Sequence, residues 1–324
     1  MEVNQTGQGL RFTCPKRSVS AVYVLLYMCA AAVVLVTLCG NLLIIISVCH
    51  FKQLHTPTNM LILSLAVSDL LVGVLVMPTA LIWMIEACWM LNAFYCLCYI
   101  LISYYLTNIS IYSVALIAVD RYFALSNPFL YTKKATLSSM RIVVLCNWFV
   151  LLFYNVTLQY FNGHFGGTTV CPEDFFVLDE VWSLVDLLLT FAFPCSVIII
   201  LYTRVFVIVR KHATAIRELN AVTRTRTTKN MSDSMKSERK AAKSLGILVF
   251  VFLACLFPYF IYTVLGNVIE VKVGSFQNVL MLVCLNSAIN PAIYALFYPW
   301  FRRCVKLTLT LQIFKTDSAL MNFL

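Results

Sequence analysis

Apolar runs recur along nearly the whole chain, and they limit its fold more than any motif does. Seven stand out, at Val19–Val48, Met60–Ile85, Tyr95–Ala124, Ile142–Val156, Val181–Val209, Leu245–Leu265 and Val279–Tyr298. Each is near the ~20 apolar residues that a tilted helix needs to cross hydrocarbon. In that solvent the backbone can be satisfied only by helices or by a closed barrel. The period-two alternation of barrel strands is absent. Charged residues make up 12% of the chain and hydrophobic ones 61%, whereas soluble domains carry about 25% charged residues. The sequence predicts an all-α membrane protein, a bundle of seven transmembrane helices.

Lysine and arginine set its orientation. With seven spans, the connecting segments alternate between the two sides. One side collects 20 of the 24 basic residues; the other holds only Arg11, Lys16, Arg17 and Lys272, beside Glu173, Asp174, Asp179 and Glu180. The amino terminus is therefore expected outside the cell and the carboxyl terminus inside. The net charge of +10 is a topology signal, and nucleic-acid binding need not be invoked. Residues 1–18 read as an extracellular, glycosylated terminus, with the sequon Asn4-Gln5-Thr6 and no apolar core of a cleavable signal. Residues 19–298 read as the membrane domain, with a cytoplasmic loop at about 211–240, and 299–324 as a short amphipathic eighth helix and tail. Charge in the loop segment Arg217–Lys243 fits both a solvated, partly disordered loop and a docking surface for a cytoplasmic partner. No inverted repeat of the transporter kind is visible.

Polar residues inside the spans are costly there and so carry most of the functional information. They are Asn41, Asp69, Ser110, Asp120-Arg121-Tyr122, Trp148, Asp186 and the run NSAINPAIYALFYPWF from Asn286 to Phe301. In this order they resemble the landmarks of rhodopsin-like G-protein-coupled receptors. Asn41 falls on the first helix, Leu65, Ala66 and Asp69 on the second, and Asp120-Arg121-Tyr122 closes the third. Trp148, Pro194 with Tyr202, Pro258, and Asn290-Pro291 with Tyr294 follow on the others. A longer pattern, Asn286-Ser287, Asn290-Pro291, Tyr294, Tyr298 and Trp300-Phe301, resembles that of trace amine-associated receptors, most of which are olfactory detectors of amines.

The resemblance implies several roles. Arg121 would pair with Asp120 and with Glu238 at rest, and would turn with Tyr202 toward a G protein on activation. Asp69, Ser110, Asn286, Ser287 and Asn290 would hold a sodium ion; oxygen ligands suit a hard cation, and an ordered water network is the alternative. Cys96 and Cys171 would form the outer disulfide, leaving Cys14 and Cys88 as a further extracellular pair to test. Cys304 is a candidate for acylation. Pocket positions implied by the match are Ser103, Tyr104, Thr107 and Asn108, then Tyr259, Phe260 and Thr263, then Leu280, Met281 and Cys284. Aromatic faces at Tyr104, Tyr259 and Phe260 offer cation–π contact to an alkylammonium.

Amine receptors generally hold the ammonium on an aspartate of the third helix, about 27 Å along the axis from the arginine. The position 18 residues before Arg121 is Ser103, whose hydroxyl cannot form that ion pair. Asp186, two turns outward of Pro194, is the expected replacement, and a lost third-helix anchor with a gained fifth-helix acid resembles a fish branch of the family. The charged form of a carboxylate in a dry pocket is disfavoured, and a protonated amine restores the balance through a charge-assisted hydrogen bond. Three other roles stay open for Asp186: a proton carrier, a protonated acid bonded to Ser or Tyr neighbours, and a structural partner of a helix carbonyl. Two departures accompany it, Leu256 where most relatives keep tryptophan, and Cys284 where aminergic receptors place tyrosine.

The function expected is amine-evoked signalling through a stimulatory G protein, raising cyclic AMP, at the plasma membrane, with no required cofactor beyond a possible allosteric sodium. A chemosensory receptor for non-amine odorants, with Asp186 structural, is the second reading. Ser275–Trp300 contains no lysine for a retinal Schiff base, and only Asp69 and Asp186 lie deep in the spans, too few for a charged transport path. The histidines, His50, His55, His164 and His212, are scattered without metal-ligand spacing, so an enzyme is not expected.

Overall fold

The computed structural model describes residues 20–86, 93–161, 180–222, 246–247, 249–262, 273–297 and 299–312. The membrane helices are α1 (Ala21–His50), α2 (Pro57–Glu86), α3 (Ala93–Ser126) and α4 (Leu137–Phe161). The fifth, α5, runs in three continuous segments, Glu180–Asp186, Leu187–Ala192 and Phe193–Val222. Then come α6 (Val249–Tyr262) and α7 (Val273–Phe297), followed by α8 (Pro299–Leu309). Among the described residues, five helices are long and apolar enough to cross a membrane on their own, and α6 is a shorter apolar helix. A short helix, Pro128–Lys134, joins α3 to α4. α5 outruns its apolar stretch by continuing to Val222; Arg210 and Lys211 on this extension are exposed, as expected of a helix leaving the bilayer.

α3 is the central strut, packed against α2, α4 and α5. Its core positions Ile111, Val114, Ile117 and Ala118 are fully enclosed and meet Phe252 of α6 and Tyr294 of α7 in one hydrophobic cluster. Facing outward are Leu25, Met28, Phe149, Phe153 and Phe250, all exposed, which suits lipid on that side. Trp148 anchors α4 by donating its Nε1–H to Ser64 Oγ at 2.9 Å, with its ring edge-on to Tyr105.

Prolines explain the irregular turns. Pro lacks an N–H and its ring crowds the carbonyl four residues earlier. The π-helical turn Val72–Val76 precedes Pro78, and the π-helical turn Leu187–Ala192 precedes Pro194. Widened turns of this kind often mark functional sites, and each here lies beside a deep aspartate, Asp69 or Asp186. In α7, Pro291 leaves the Ser287 carbonyl without its helical partner. Asn41 Nδ2 supplies the donor from α1 at 3.1 Å. Gly40, next to it, permits this approach: a Cβ there would sit 2.6 Å from Pro291 Cβ.

α8 begins where Arg302 donates to the carbonyls of Ala295 and Leu296, at 3.1 and 2.8 Å, capping α7 with a cation at its negative end. Phe301 and Cys304 face inward, while Arg302 and Arg303 are exposed. Acylation of Cys304 is not supported. Its thiol is fully enclosed in a cluster with Phe51 and Leu54, and burial pushes it up to about 11.

Candidate functional site

Asp186 closes the first segment of α5, immediately before the π-turn, and is 7% exposed. Tyr154 of α4 donates its phenol to Asp186 Oδ1 at 3.0 Å. Thr190 Oγ1 donates to the Asp186 backbone carbonyl at 2.7 Å, and Tyr112 of α3 donates to the Leu189 carbonyl at 2.7 Å. The wide turn thus exposes carbonyls that hydroxyls satisfy. Tyr104 of α3 and Tyr259 of α6 hydrogen-bond to each other and lie within electrostatic reach of the carboxylate. Phe260 stacks on Phe191 with ring centroids 4.0 Å apart and meets Tyr259 edge-on. Asp186 therefore sits among phenols and aromatic faces contributed by α3, α4, α5 and α6, with no salt-bridge partner among the described residues.

The other expected pocket residues divide into groups. Ser103, Thr107, Leu256 and Cys284 line one cavity, which runs on to Ser110, Asn286 and Ser287. The small side chains of Ser103, Thr107 and Cys284 leave this space open. The Ser103 hydroxyl donates back to the Tyr99 carbonyl at 2.6 Å. Asn108 points to α4, where its Nδ2 meets Asn155 Oδ1 at 3.2 Å. Thr263 lies outside the described residues, as do the side chains of Leu280 and Met281 within α7.

Deeper, Asp69 is fully buried. Its Oδ1 accepts from Ser287 Oγ at 2.8 Å and from Ser110 Oγ at 3.4 Å, and its Oδ2 from Asn290 Nδ2 at 2.7 Å. Ser68 Oγ adds a contact to Ser110 at 3.1 Å. Asn286 Oδ1 is buried without a hydrogen-bonding partner among the described residues. A carboxylate, two hydroxyls and a spare amide oxygen form a donor set that fits a small hard cation.

At the inner face, Arg121 holds Asp120 Oδ2 through Nη2 at 2.6 Å and Nε at 3.0 Å. Asp120 also accepts from Thr58 of α2 at 2.7 Å and from Tyr131 of the short joining helix at 2.8 Å. Burial and the Asp120 charge push the Tyr131 phenol above its ordinary range. Tyr122 sits beside Phe123, ring edge to face. Tyr294 is buried and Tyr202 half-buried, both in or against the main core. Glu238 lies outside the described residues, so the resting contact seen for Arg121 is with Asp120. Cys96 is disulfide-bonded; Cys171, Cys14, Cys88 and Asn4 lie outside the described residues.

The residues alone did not single out Tyr154, Asn155, Gln159 or Tyr112. The signal was present for the amides: Asn155 and Gln159 stand four apart in an apolar helix, hence on one face. A tyrosine in a span gives no such signal, because it is equally at home in a core or at the lipid interface.

Comparison with known proteins places these features in context. The model of the seven-transmembrane receptors of the rhodopsin family matches residues 40–294. Trace amine-associated receptor 13c of Danio rerio is 38% identical over 92% of this chain and 89% of its own. Trace amine-associated receptor 2 of Homo sapiens is 34% identical over 94% of this chain and 87% of its own. Trace amine-associated receptor 1 of Mus musculus is 34% identical over 91% of each.

Proposed function

The chain belongs to the rhodopsin family of seven-transmembrane receptors, among the trace amine-associated receptors, and from that premise we propose that it detects protonated amines, anchoring the ammonium on Asp186. The observation that carries this reading is the unequal state of the two deep carboxylates. Asp69 is enclosed by side-chain donors on both oxygens, whereas Asp186 accepts from the Tyr154 phenol on Oδ1 and has only the Thr190 hydroxyl as a further close side-chain donor, amid aromatic rings and without a cation among the described residues. A buried charge with so little compensation is costly, and an alkylammonium supplies what is missing through a charge-assisted hydrogen bond. Tyr104 and Tyr259 add π faces to the same cation.

Signal transfer then runs inward along α5 and α6. A ligand drawing on Asp186 acts on the segment that enters the π-turn at Leu187, a turn whose backbone bonds are already shared with side chains. Rearrangement there would reach Phe252 through the core and release Arg121 from Asp120 to receive a stimulatory G protein, raising cyclic AMP. A sodium ion held by Asp69, Ser110, Asn286 and Ser287 would favour the resting arrangement. The protein acts at the plasma membrane with its amino terminus outside, in this reading.

A second reading draws on the Tyr154 contact: Asp186 as a structural acid paired with α4, in a receptor for uncharged odorants. A cyclic AMP screen separates the two. Amines should activate the wild type and fail on Asp186→Ala. Activation of the wild type by uncharged odorants alone, unchanged in Asp186→Ala, would reject the amine reading.

A further inference from the structure

Among the described residues, the most unsatisfied side chain in the outer half of the bundle is not an acid. Gln159 of α4 is fully buried, and neither its Nε2 nor its Oε1 meets a hydrogen-bonding partner among the described residues. An amide brings two donors and one acceptor oxygen, and an intramembrane polar group left unmatched points to function. Its place is fixed by its neighbours along the helix. Asn155, one turn inward and on the same face, is matched by Asn108 and by the Leu151 carbonyl. Tyr154 reaches across to Asp186 on α5, and Phe161 stacks on Trp182 of α5 with centroids 5.3 Å apart. Gln159 is therefore bracketed by two α4–α5 contacts, on the face that meets α3, about 7.5 Å outward of Tyr154 along the helix axis.

We propose that Gln159 is a second recognition point of the ligand site, reading an uncharged hydrogen-bonding group on the far end of the amine. This rests on Asp186 as the ammonium anchor and adds the ligand's other end. The amide is neutral and both donates and accepts, so it matches a hydroxyl better than a second ammonium, which can only donate. An amino alcohol carries such a group at the end away from its nitrogen. Without such a group the amide stays unmatched in the bound state as well, and the simple alkylamine gains nothing from it.

The test compares pentylamine, 5-aminopentanol and the matching five-carbon diamine by cyclic AMP response, with surface expression measured for every variant. Gln159→Leu should keep the potency of pentylamine and lose about tenfold for the amino alcohol, the worth of one or two buried hydrogen bonds. Gln159→Glu should reverse the preference, raising the diamine relative to the amino alcohol about tenfold. Equal loss for pentylamine and the amino alcohol in Gln159→Leu would make Gln159 structural and overturn the proposal. So would no loss for either, or an unchanged preference in Gln159→Glu. Failure of the underlying anchor reading looks different: the wild type would ignore pentylamine, or Asp186→Asn would respond to it fully.

Discussion

Tyr154 on α4 and Asp186 on α5 are joined by a 3.0 Å hydrogen bond, phenol to carboxylate, with no basic side chain among the described residues paired to that acid. The phenol fixes the carboxylate's direction and offsets part of its charge. Tyr154→Phe keeps the ring and removes only that donor. Hydrogen bonds to charged groups are worth about 1.5–3 kcal/mol, so amine potency should fall by about tenfold or more at unchanged surface expression, read as the shift in a cyclic AMP dose–response curve.

Asp69 draws its stability from three side-chain donors. Asp69→Asn preserves shape and removes the charge that a sodium ion would need. Replacing choline by sodium in the buffer should lower agonist affinity in the wild type and leave the variant flat. A variant that keeps the wild-type sodium dependence would remove the ion from this site.

Gly40 and Pro291 touch at the α1–α7 contact, where a Cβ on residue 40 would stand 2.6 Å from Pro291 Cβ and 2.8 Å from its Cγ. A prolyl ring cannot swing aside. Gly40→Ala should cost about 1–3 kcal/mol as an overpacked core does, seen as a lower Tm in detergent. Gly73→Ala, whose added atom meets the Leu38 and Thr37 methyls at 3.0 Å rather than a ring at 2.6 Å, should cost less.

Asp120 is held by Arg121, Thr58 and Tyr131 together. Tyr131→Phe removes one donor of net worth about 0.5–1.5 kcal/mol, loosening the resting contact of Arg121. Ligand-free cyclic AMP should rise about threefold per receptor at the surface, and Thr58→Val should act in the same direction.

What the sequence could reveal depended on how unusual a residue is in its surroundings. Asp69, Arg121 and Asp186 were legible because a charge in an apolar run has few explanations, and Asn41 and Asn290 because their spacing is shared across a family. The π-turns were not legible: Pro78 and Pro194 announce a disturbed helix, but whether it kinks or widens depends on packing. Tyr154 was hidden because an apolar helix tolerates tyrosine on any face, and only the fold brings it 3.0 Å from an acid 32 positions later. The burial of Cys304 was hidden for a related reason. Its position after the seventh span suited acylation, while its burial against Phe51 and Leu54 follows from how α8 turns back under the bundle.

The central claim concerns charge at Asp186, and equilibrium binding tests it without the steps of signalling. The affinity of the most potent amine should be measured on purified wild-type receptor and on Asp186→Asn, which keeps the size and a hydrogen-bonding capacity. Loss of a buried charge pair is worth several kcal/mol, so the account predicts that Kd rises by about a hundredfold or more. A Kd within about twofold of wild type, for a correctly folded variant, is within the span of a negligible contact and would contradict it.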